Sequence, residues 1–180
     1  MRDVVRPRRE PLRQREQTYF VSFQTADHRP FFRHENWANL LLNALEHYRS
    51  AYLLHAYVLM PDHVHLLLTP GESVEKAVQL IKGGFSYRVK RELHWQGDVW
   101  QSGFSDHRIR DIQDFHSHIL YIHQNPVRAG LCVRAEKYFY CSLSKAVAID
   151  AIPQRLKPTI TDRFDGGAQA PPLPKAAAAR

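Results

Sequence analysis

The sequence contains little cysteine and no long apolar run. Its two cysteines, Cys132 and Cys141, are too few for a disulfide framework, and they lack the spacing of a metal-binding pair. No stretch approaches the roughly 18 apolar residues that a membrane-spanning helix needs. The arginine-rich N-terminus also lacks the apolar segment of a signal peptide. We therefore expect a cytoplasmic protein that does not associate with membranes.

Acidic residues are in the minority. The 180 residues include 25 lysines and arginines against 18 aspartates and glutamates, which gives a formal net charge of +7. Such an excess indicates an anionic partner, most often nucleic acid, although many basic proteins bind none. The hydrophobic fraction of 44% and the length suit a single globular domain. Charge alone leaves the identity of the partner open.

Both ends of the chain differ in composition from its centre. Residues 1–16 contain six arginines and two prolines without a hydrophobic period. We expect either a basic arm that orders on a phosphate backbone or a solvated leader. Residues 150–180 are rich in proline, glycine and alanine and predict a flexible tail, because they cannot bury enough apolar surface. The predicted domain is therefore 17–149.

Hydrophobic periodicity divides this centre into alternating strands and helices. Strands are predicted at 18–25, 51–60, 62–70 and 98–110. Helices are predicted at 34–50, 73–93 and 111–125, with a shorter helix at 134–148. Ser73 is an N-cap signal, and Pro126 and Gly130 predict the end of the third helix. The order β-α-β-β-α-β is the split βαβ of an α+β, ferredoxin-like (RRM-like) fold. Its antiparallel sheet carries helices on one face and leaves the other available for ligands.

Two histidines occupy one predicted strand, in the segment "MPDHVHLLLTP" at 60–70. Because side chains alternate across a strand, His63 and His65 point to one face and Val64 to the other. If Val64 and the other apolar side chains on its side of the strand pack against the helices, both imidazoles lie on the open face of the sheet. Their Cβ atoms would then be about 7 Å apart, close enough to hold one metal ion. Two histidines are an incomplete metal site, and a purely structural role also accounts for them.

A polar stripe runs beside the apolar stripe of the predicted helix 111–125. At about 100° per residue it contains Asp114, His118, Tyr121 and Asn125. Tyr121 and Asn125 lie one turn apart, so they sit one above the other. The stripe is either a polar flank of the core or a set of groups that lean over the sheet.

Two motifs carry a resemblance to a known family. The segments "MPDHVHLLL" and, about fifty residues later, "YIHQNPVRAGL" resemble the single-tyrosine branch of the HUH-endonuclease superfamily, in which U is a hydrophobic residue, here Val64. The likeness is to the REP-associated tyrosine transposases and covers about residues 18–145, including "VWQSGFSDHRIR" and "KYFYCSLS". It implies an enzyme that nicks single-stranded DNA at hairpin-forming palindromic repeats and transfers the strand through a 5′-phosphotyrosine.

The resemblance also implies roles for individual residues. It makes Tyr121 the nucleophile and His63, His65 and Asn125 the ligands of Mg²⁺ or Mn²⁺. Asn125 stands where insertion-sequence relatives have the longer glutamine. Imidazole ligands favour Mn²⁺ and cellular abundance favours Mg²⁺. His118, one turn before Tyr121, is either a group for proton transfer or an ordinary surface histidine.

Basic residues near the second helix and the last strand are candidates to bind DNA phosphates. These are Lys82, Arg88, Lys90, Arg91, Arg108 and Arg110. For each of them a solvated surface position is the alternative. For the whole protein the alternatives are a non-catalytic protein that binds DNA hairpins and a general metal-dependent hydrolase, which would not need Tyr121. We expect a monomer, with a dimer as the other possibility.

Overall fold

The computed structural model describes residues 17–156. The predicted basic arm, residues 1–16, and residues 157–180 of the predicted tail lie outside the described residues. The beginning of that tail packs against the domain: the side chain of Asp150 accepts a hydrogen bond from the backbone N–H of Leu54 at 2.7 Å, and Leu156 is buried. The packed region therefore extends beyond the expected boundary at residue 149.

Residues 17–156 form one four-stranded antiparallel sheet and three α-helices. The strands are β1 (Tyr19–Gln24), β2 (Tyr52–Leu59), β3 (His63–Pro70) and β4 (Ser105–Arg108), in the spatial order β2-β3-β1-β4. The helices are α1 (Glu35–His47), α2 (Val74–Glu92) and α3 (Ile112–Arg128). The chain order β1-α1-β2-β3-α2-β4-α3 confirms the predicted α+β, split βαβ fold. No helix in this part of the chain is long and apolar enough to cross a membrane.

Side-chain caps begin two of the helices. Ser73 accepts a hydrogen bond from the backbone N–H of Lys76 at 3.1 Å and starts α2, as predicted. Asp111 accepts from the backbone N–H of Asp114 at 2.8 Å and starts α3. This second cap lies directly after the last strand and fixes where the third helix begins.

The predicted end of α3 is wrong by almost one turn. The helix continues through Pro126 to Arg128, because the backbone carbonyl of Asn125 still accepts from the N–H of Ala129 at 3.0 Å. Proline lacks an N–H but keeps its carbonyl, so a turn can form after it. Gly130, with φ of 69°, then ends the helix as predicted.

Helices α1 and α2 cover one face of the sheet. Their apolar sides pack with side chains from alternate positions of β1 and β3, namely Tyr19, Val21, Phe23, Val64, Leu66 and Leu68. The apolar alternation of β3 had predicted this face. It is the larger of the two cores, and it leaves the other set of β3 side chains, including the histidines, on the opposite face.

The sequence predicted that the opposite face would be open. Instead, α3 packs on its β2–β3 half. Phe115 and Ile122 of α3 are buried against Ala56, Val58 and Leu67 of the sheet. Both surfaces are apolar, and burying them together stabilises the domain. The uncovered part of this face is therefore smaller than predicted, and α3 is brought directly over the histidine strand.

The helix predicted for residues 134–148 does not form. The chain makes two short 3₁₀ turns instead, Ala135–Lys137 and Ser142–Ser144. Between them, the carbonyl of Tyr140 accepts from the backbone N–H of Leu59 at 2.8 Å. The segment thus satisfies the free edge of β2, and this tertiary pairing overrides local helix propensity.

Candidate active site

His63 and His65 lie side by side on the face that α3 covers. Their rings are 4.8 Å apart between centroids, at 70° to each other. In the sheet register His63 stands opposite Gln24 of β1, and His65 opposite Ser22. The strand alternation predicted this placement, and the structure brings the two imidazoles close enough to share a ligand.

Helix α3 carries Tyr121 to this pair. The Tyr121 ring lies 5.4 Å from that of His65, at 63°. Both rings also contact Phe20 of β1, at 5.7 Å and 5.2 Å respectively. The structure therefore brings together the tyrosine and the histidines that the motifs singled out, and it adds Phe20, whose ring contacts both Tyr121 and His65.

The direction of α3 places Asn125 on the same side. Near its start, Phe115 contacts His55, whose ring is hydrogen-bonded to Thr69 at the far end of β3. Six residues later Tyr121 contacts His65, so α3 runs antiparallel to β3. Asn125, half-buried and one turn further, lies in the direction of His63.

His65 is held in the form that binds metals. Its side chain is only 6% exposed, and burial together with the neighbouring His63 lowers the pKa of His65 to about 3. Among residues 17–156 its Nδ1 atom has no hydrogen-bond partner although it is buried. A neutral imidazole with an unsatisfied buried nitrogen fits a divalent cation, because only the unprotonated ring donates a lone pair.

Among residues 17–156, one ring nitrogen of His63 has no hydrogen-bond partner. Its Nδ1 donates a hydrogen bond to the Asp62 carboxylate at 2.7 Å, so its Nε2 remains as the possible ligand atom. The imidazole nitrogens of His63 and His65 and the amide oxygen of Asn125 are donor types compatible with a divalent cation.

A second polar group surrounds the buried carboxylate of Asp114. One of its oxygens accepts from His107 Nε2 at 3.0 Å, and from the backbone N–H and Nε of Arg110 at 3.1 and 3.2 Å. The other lies 3.1 Å from His118 Nδ1. Burial would raise the pKa of Asp114, but the hydrogen bonds from His107 and Arg110 outweigh it and hold that pKa below its ordinary value.

The same group offers an alternative place for a metal. The ligand atoms of His107, Asp114 and His118 all lie within 4.8 Å of one another. However, Arg110 already neutralises the carboxylate, and His118 Nδ1 donates to the carbonyl of Asp114 at 2.8 Å. These groups satisfy one another, unlike His65. The sequence had placed Asp114 and His118 on one stripe, but His107 could have been found only from the strand alternation of β4.

Phe20 separates the two histidine groups. Its ring is stacked on His65 at 26° and tilted against His118, with centroids 4.8 Å apart in the second case. Tyr121 contacts Phe20 from a third side. Only the pairing of β1 between β3 and β4 reveals this position, which sequence reasoning missed.

Lys82 differs from its expected role as a phosphate contact. Its ammonium group donates to the carbonyls of Gln101 and Gly103 at 2.9 and 2.7 Å, and burial lowers its pKa. It also lies 5.8 Å from the Phe23 ring and 5.9 Å from that of Trp100. Lys82 therefore holds the loop that leads to β4.

The other basic candidates are distributed over both sides of the sheet. Arg88, Lys90 and Arg91 are on α2, and Lys90 and Arg91 are exposed; the Arg91 guanidinium lies 5.4 Å from the centroid of the exposed Tyr87 ring. Because α2 packs on the face opposite α3, these residues are across the sheet from the histidine pair. Arg108 is exposed at the end of β4. Arg110 binds Asp114 through Nε while its side chain remains 63% exposed.

Comparisons with known proteins agree with the motifs. The family model described as "Transposase IS200 like" matches residues 16–125. A Haemophilus influenzae protein assigned as a REP-associated tyrosine transposase is 28% identical over 111 residues, covering 55% of this chain and 63% of the relative. The REP-associated tyrosine transposase of Escherichia coli K12 is 28% identical over 120 residues, covering 63% and 67%. The match thus spans about two thirds of these relatives.

A solved structure shares the fold. It is that of a REP-associated tyrosine transposase bound to a REP hairpin, with a TM-score of 0.66 and 20% identity. The similarity covers 94% of this chain and 95% of the other.

Proposed function

This chain belongs to the IS200-like transposase family, as its motifs predicted, and we propose that it nicks and rejoins single-stranded DNA through a covalent bond to Tyr121. The observation that carries the proposal is the contact of the Tyr121 ring with His65, beside His63. A phenol next to two imidazoles on a partly open sheet face unites a nucleophile with metal ligands.

His63, His65 and Asn125 would hold the metal, Mn²⁺ or Mg²⁺. When bound, such an ion polarises a phosphoryl oxygen and offsets the negative charge that repels an oxygen nucleophile. His65 supports this assignment because it stays neutral and has an unsatisfied nitrogen. Asn125 supports the assignment because it lies one helical turn beyond Tyr121, on the same stripe of α3.

Tyr121 Oη attacks the scissile phosphorus. An O–P bond forms to the tyrosine as the bond between phosphorus and the 3′-oxygen breaks, and that oxygen takes a proton from solvent and leaves as a 3′-hydroxyl. The 5′-phosphotyrosine preserves the energy of the phosphodiester for rejoining.

His118 accepts the phenolic proton. Its Nδ1 donates to the backbone carbonyl of Asp114 at 2.8 Å and lies 3.1 Å from the carboxylate, which leaves the lone pair on Nε2. His118 and Tyr121 are one turn apart on α3 and pack on the same Phe20 ring. Imidazole is the side chain that most often serves as a general base in proton transfer.

The DNA is single-stranded at the cut and is recognised as a hairpin formed by a palindromic repeat. The net charge of +7 and the exposed basic residues support an anionic partner. The solved structure with the same fold belongs to a protein bound to a REP hairpin. We assign the phosphates of the stem to Arg88, Lys90, Arg91, Arg108 and Arg110. We omit Lys82 because its ammonium group already donates to two backbone carbonyls.

A labelled hairpin oligonucleotide tests the proposal. The protein is incubated with Mn²⁺ and with substrate labelled at the 5′ or the 3′ end, and the products are separated on denaturing gels. We expect only the 3′-labelled fragment to become attached to the protein, because the bond forms to the 5′ phosphate of the downstream strand. Tyr121→Phe should abolish the adduct and keep hairpin binding.

Tyr87→Phe is the matched control, because Tyr87 is an exposed tyrosine on the opposite layer. An adduct that persists in Tyr121→Phe would assign the nucleophile elsewhere. Cleavage without an adduct would indicate a hydrolase, and a band shift without cleavage would indicate a hairpin-binding protein.

A further inference from the structure

Asp62 precedes the histidine pair and contacts one of its members. We propose that Asp62 is a positioning residue that orients His63 toward the metal; this inference rests on the proposed function. One oxygen of its carboxylate accepts a hydrogen bond from His63 Nδ1 at 2.7 Å. The contact fixes the proton on Nδ1 and directs the lone pair of Nε2 away from Asp62.

The two histidines are held in different ways. His65 is 6% exposed and packs between the rings of Phe20, Tyr121 and His63. The His63 side chain is 25% exposed, so packing restrains it less. A hydrogen bond to a carboxylate supplies the restraint on ring orientation that burial supplies for His65.

The backbone holds Asp62 in place. Thr25, which is fully buried, donates to the Asp62 carbonyl from both its backbone N–H, at 2.8 Å, and its hydroxyl, at 2.9 Å. The neighbouring carbonyl of Pro61 accepts from the N–H of Phe32 at 3.0 Å. The turn between β2 and β3 is thus tied to the loop after β1, and the carboxylate is placed before any ligand binds.

The second oxygen of Asp62 faces another imidazole. His28 Nδ1 lies 3.5 Å from it, and the His28 side chain is 57% exposed. The carboxylate therefore stands between His28 and His63, and its shorter and better buried contact is to His63. This asymmetry identifies His63 as the residue on which Asp62 acts.

Loss of this contact should weaken metal binding without unfolding the protein. Removing a carboxylate that orients a metal-binding histidine typically lowers metal affinity about 10- to 100-fold. We expect Asp62→Ala to have this effect on Mn²⁺. Asp62→Asn keeps an oxygen that accepts from Nδ1, so it should recover most of the affinity.

The purified full chain is titrated with Mn²⁺ alone. Its affinity for Mn²⁺ is measured by isothermal titration calorimetry or by electron paramagnetic resonance of the free ion. Glu72→Ala is the matched control, because it removes one exposed acidic side chain elsewhere on the surface. It should bind Mn²⁺ as the parent protein does. Thermal unfolding followed by circular dichroism shows that each variant is folded.

A double mutant separates positioning from a general electrostatic effect. In a His63→Ala background, Asp62→Ala should cause no further loss, because Asp62 acts through His63. Equal Mn²⁺ affinity in the parent and Asp62→Ala would overturn the inference and leave the proposed function intact. The inference would also be overturned if Asp62→Ala lowered Mn²⁺ affinity equally in the presence and in the absence of His63. Absence of Mn²⁺ binding in the parent protein would overturn the proposed metal site as well.

Discussion

Two groups of histidines lie on the same face of the sheet, on either side of the Phe20 ring, and their hydrogen bonding differs. His107 and His118 are tied to the Asp114 carboxylate, which Arg110 also binds. His65 is buried as deeply as His118, but among residues 17–156 its Nδ1 has no partner. A buried polar group without a hydrogen bond lowers stability, so such groups are retained mainly where they serve a function. The comparison supports our proposal that a ligand binds at the His63–His65 pair and not at the Asp114 group.

The largest effect expected from this comparison is at His65. His65→Leu should abolish both Mn²⁺ binding and the covalent adduct, because the site loses a ligand. At the same time it should raise the free energy of unfolding by about 1 kcal/mol, since an orphaned buried nitrogen is replaced by an apolar group. Metal titration, adduct gels and urea denaturation measure the three quantities.

His55→Leu is the control for this prediction. His55 is also buried on this face, but its ring nitrogens contact the Thr69 hydroxyl at 2.9 Å and the Asp150 carbonyl at 3.3 Å. It should therefore lose stability on the same substitution. A loss of stability in both variants would remove the distinction between a satisfied and an unsatisfied histidine.

The next effect is expected at Asp114. Asp114→Ala leaves His107, His118 and Arg110 without their shared acceptor, and it should lower the free energy of unfolding by about 3 kcal/mol. Urea denaturation measures the change. Asp98→Ala, at an exposed position, should change stability little. If Asp114→Ala is as stable as this control, the Asp114 group does not hold α3 against β4.

The smallest effect is expected at His118. His118→Gln keeps a donor that can reach Asp114 but removes the basic nitrogen, so it should slow adduct formation about 100-fold. Mn²⁺ affinity should stay unchanged, in contrast to His65→Leu. Single-turnover gels and metal titration measure the two. An unchanged rate would restrict His118 to packing, and a loss of Mn²⁺ binding would place the metal at the Asp114 group.

Several elements could be predicted because their signals are local. The alternation His63-Val64-His65 placed both imidazoles on one face, and Ser73 marked the start of α2. The helical spacing of Tyr121 and Asn125 put them on one stripe. These features depend on residues close in the chain, where the period of a strand or helix determines which side chains share a face.

Other features depended on contacts between distant segments. Periodicity predicted a helix at 134–148, but the edge of β2 binds the carbonyl of Tyr140. Composition and charge made Lys82 a phosphate candidate, but its ammonium group binds the 101–103 loop. Periodicity describes single elements, and it contains no information on which backbone or carbonyl groups another segment will satisfy.

The amino-acid sequence by itself determined the order of strands and helices, the histidine pair on one strand face and the tyrosine stripe of α3, because each follows from the geometry of a single element. Only the tertiary structure decided that α3 covers the histidine face, that Phe20 lies between two histidine groups, and that His65 is left with an unsatisfied nitrogen while His118 is not. These outcomes depend on how the elements pack, since burial and hydrogen-bond partners are properties of the assembled domain.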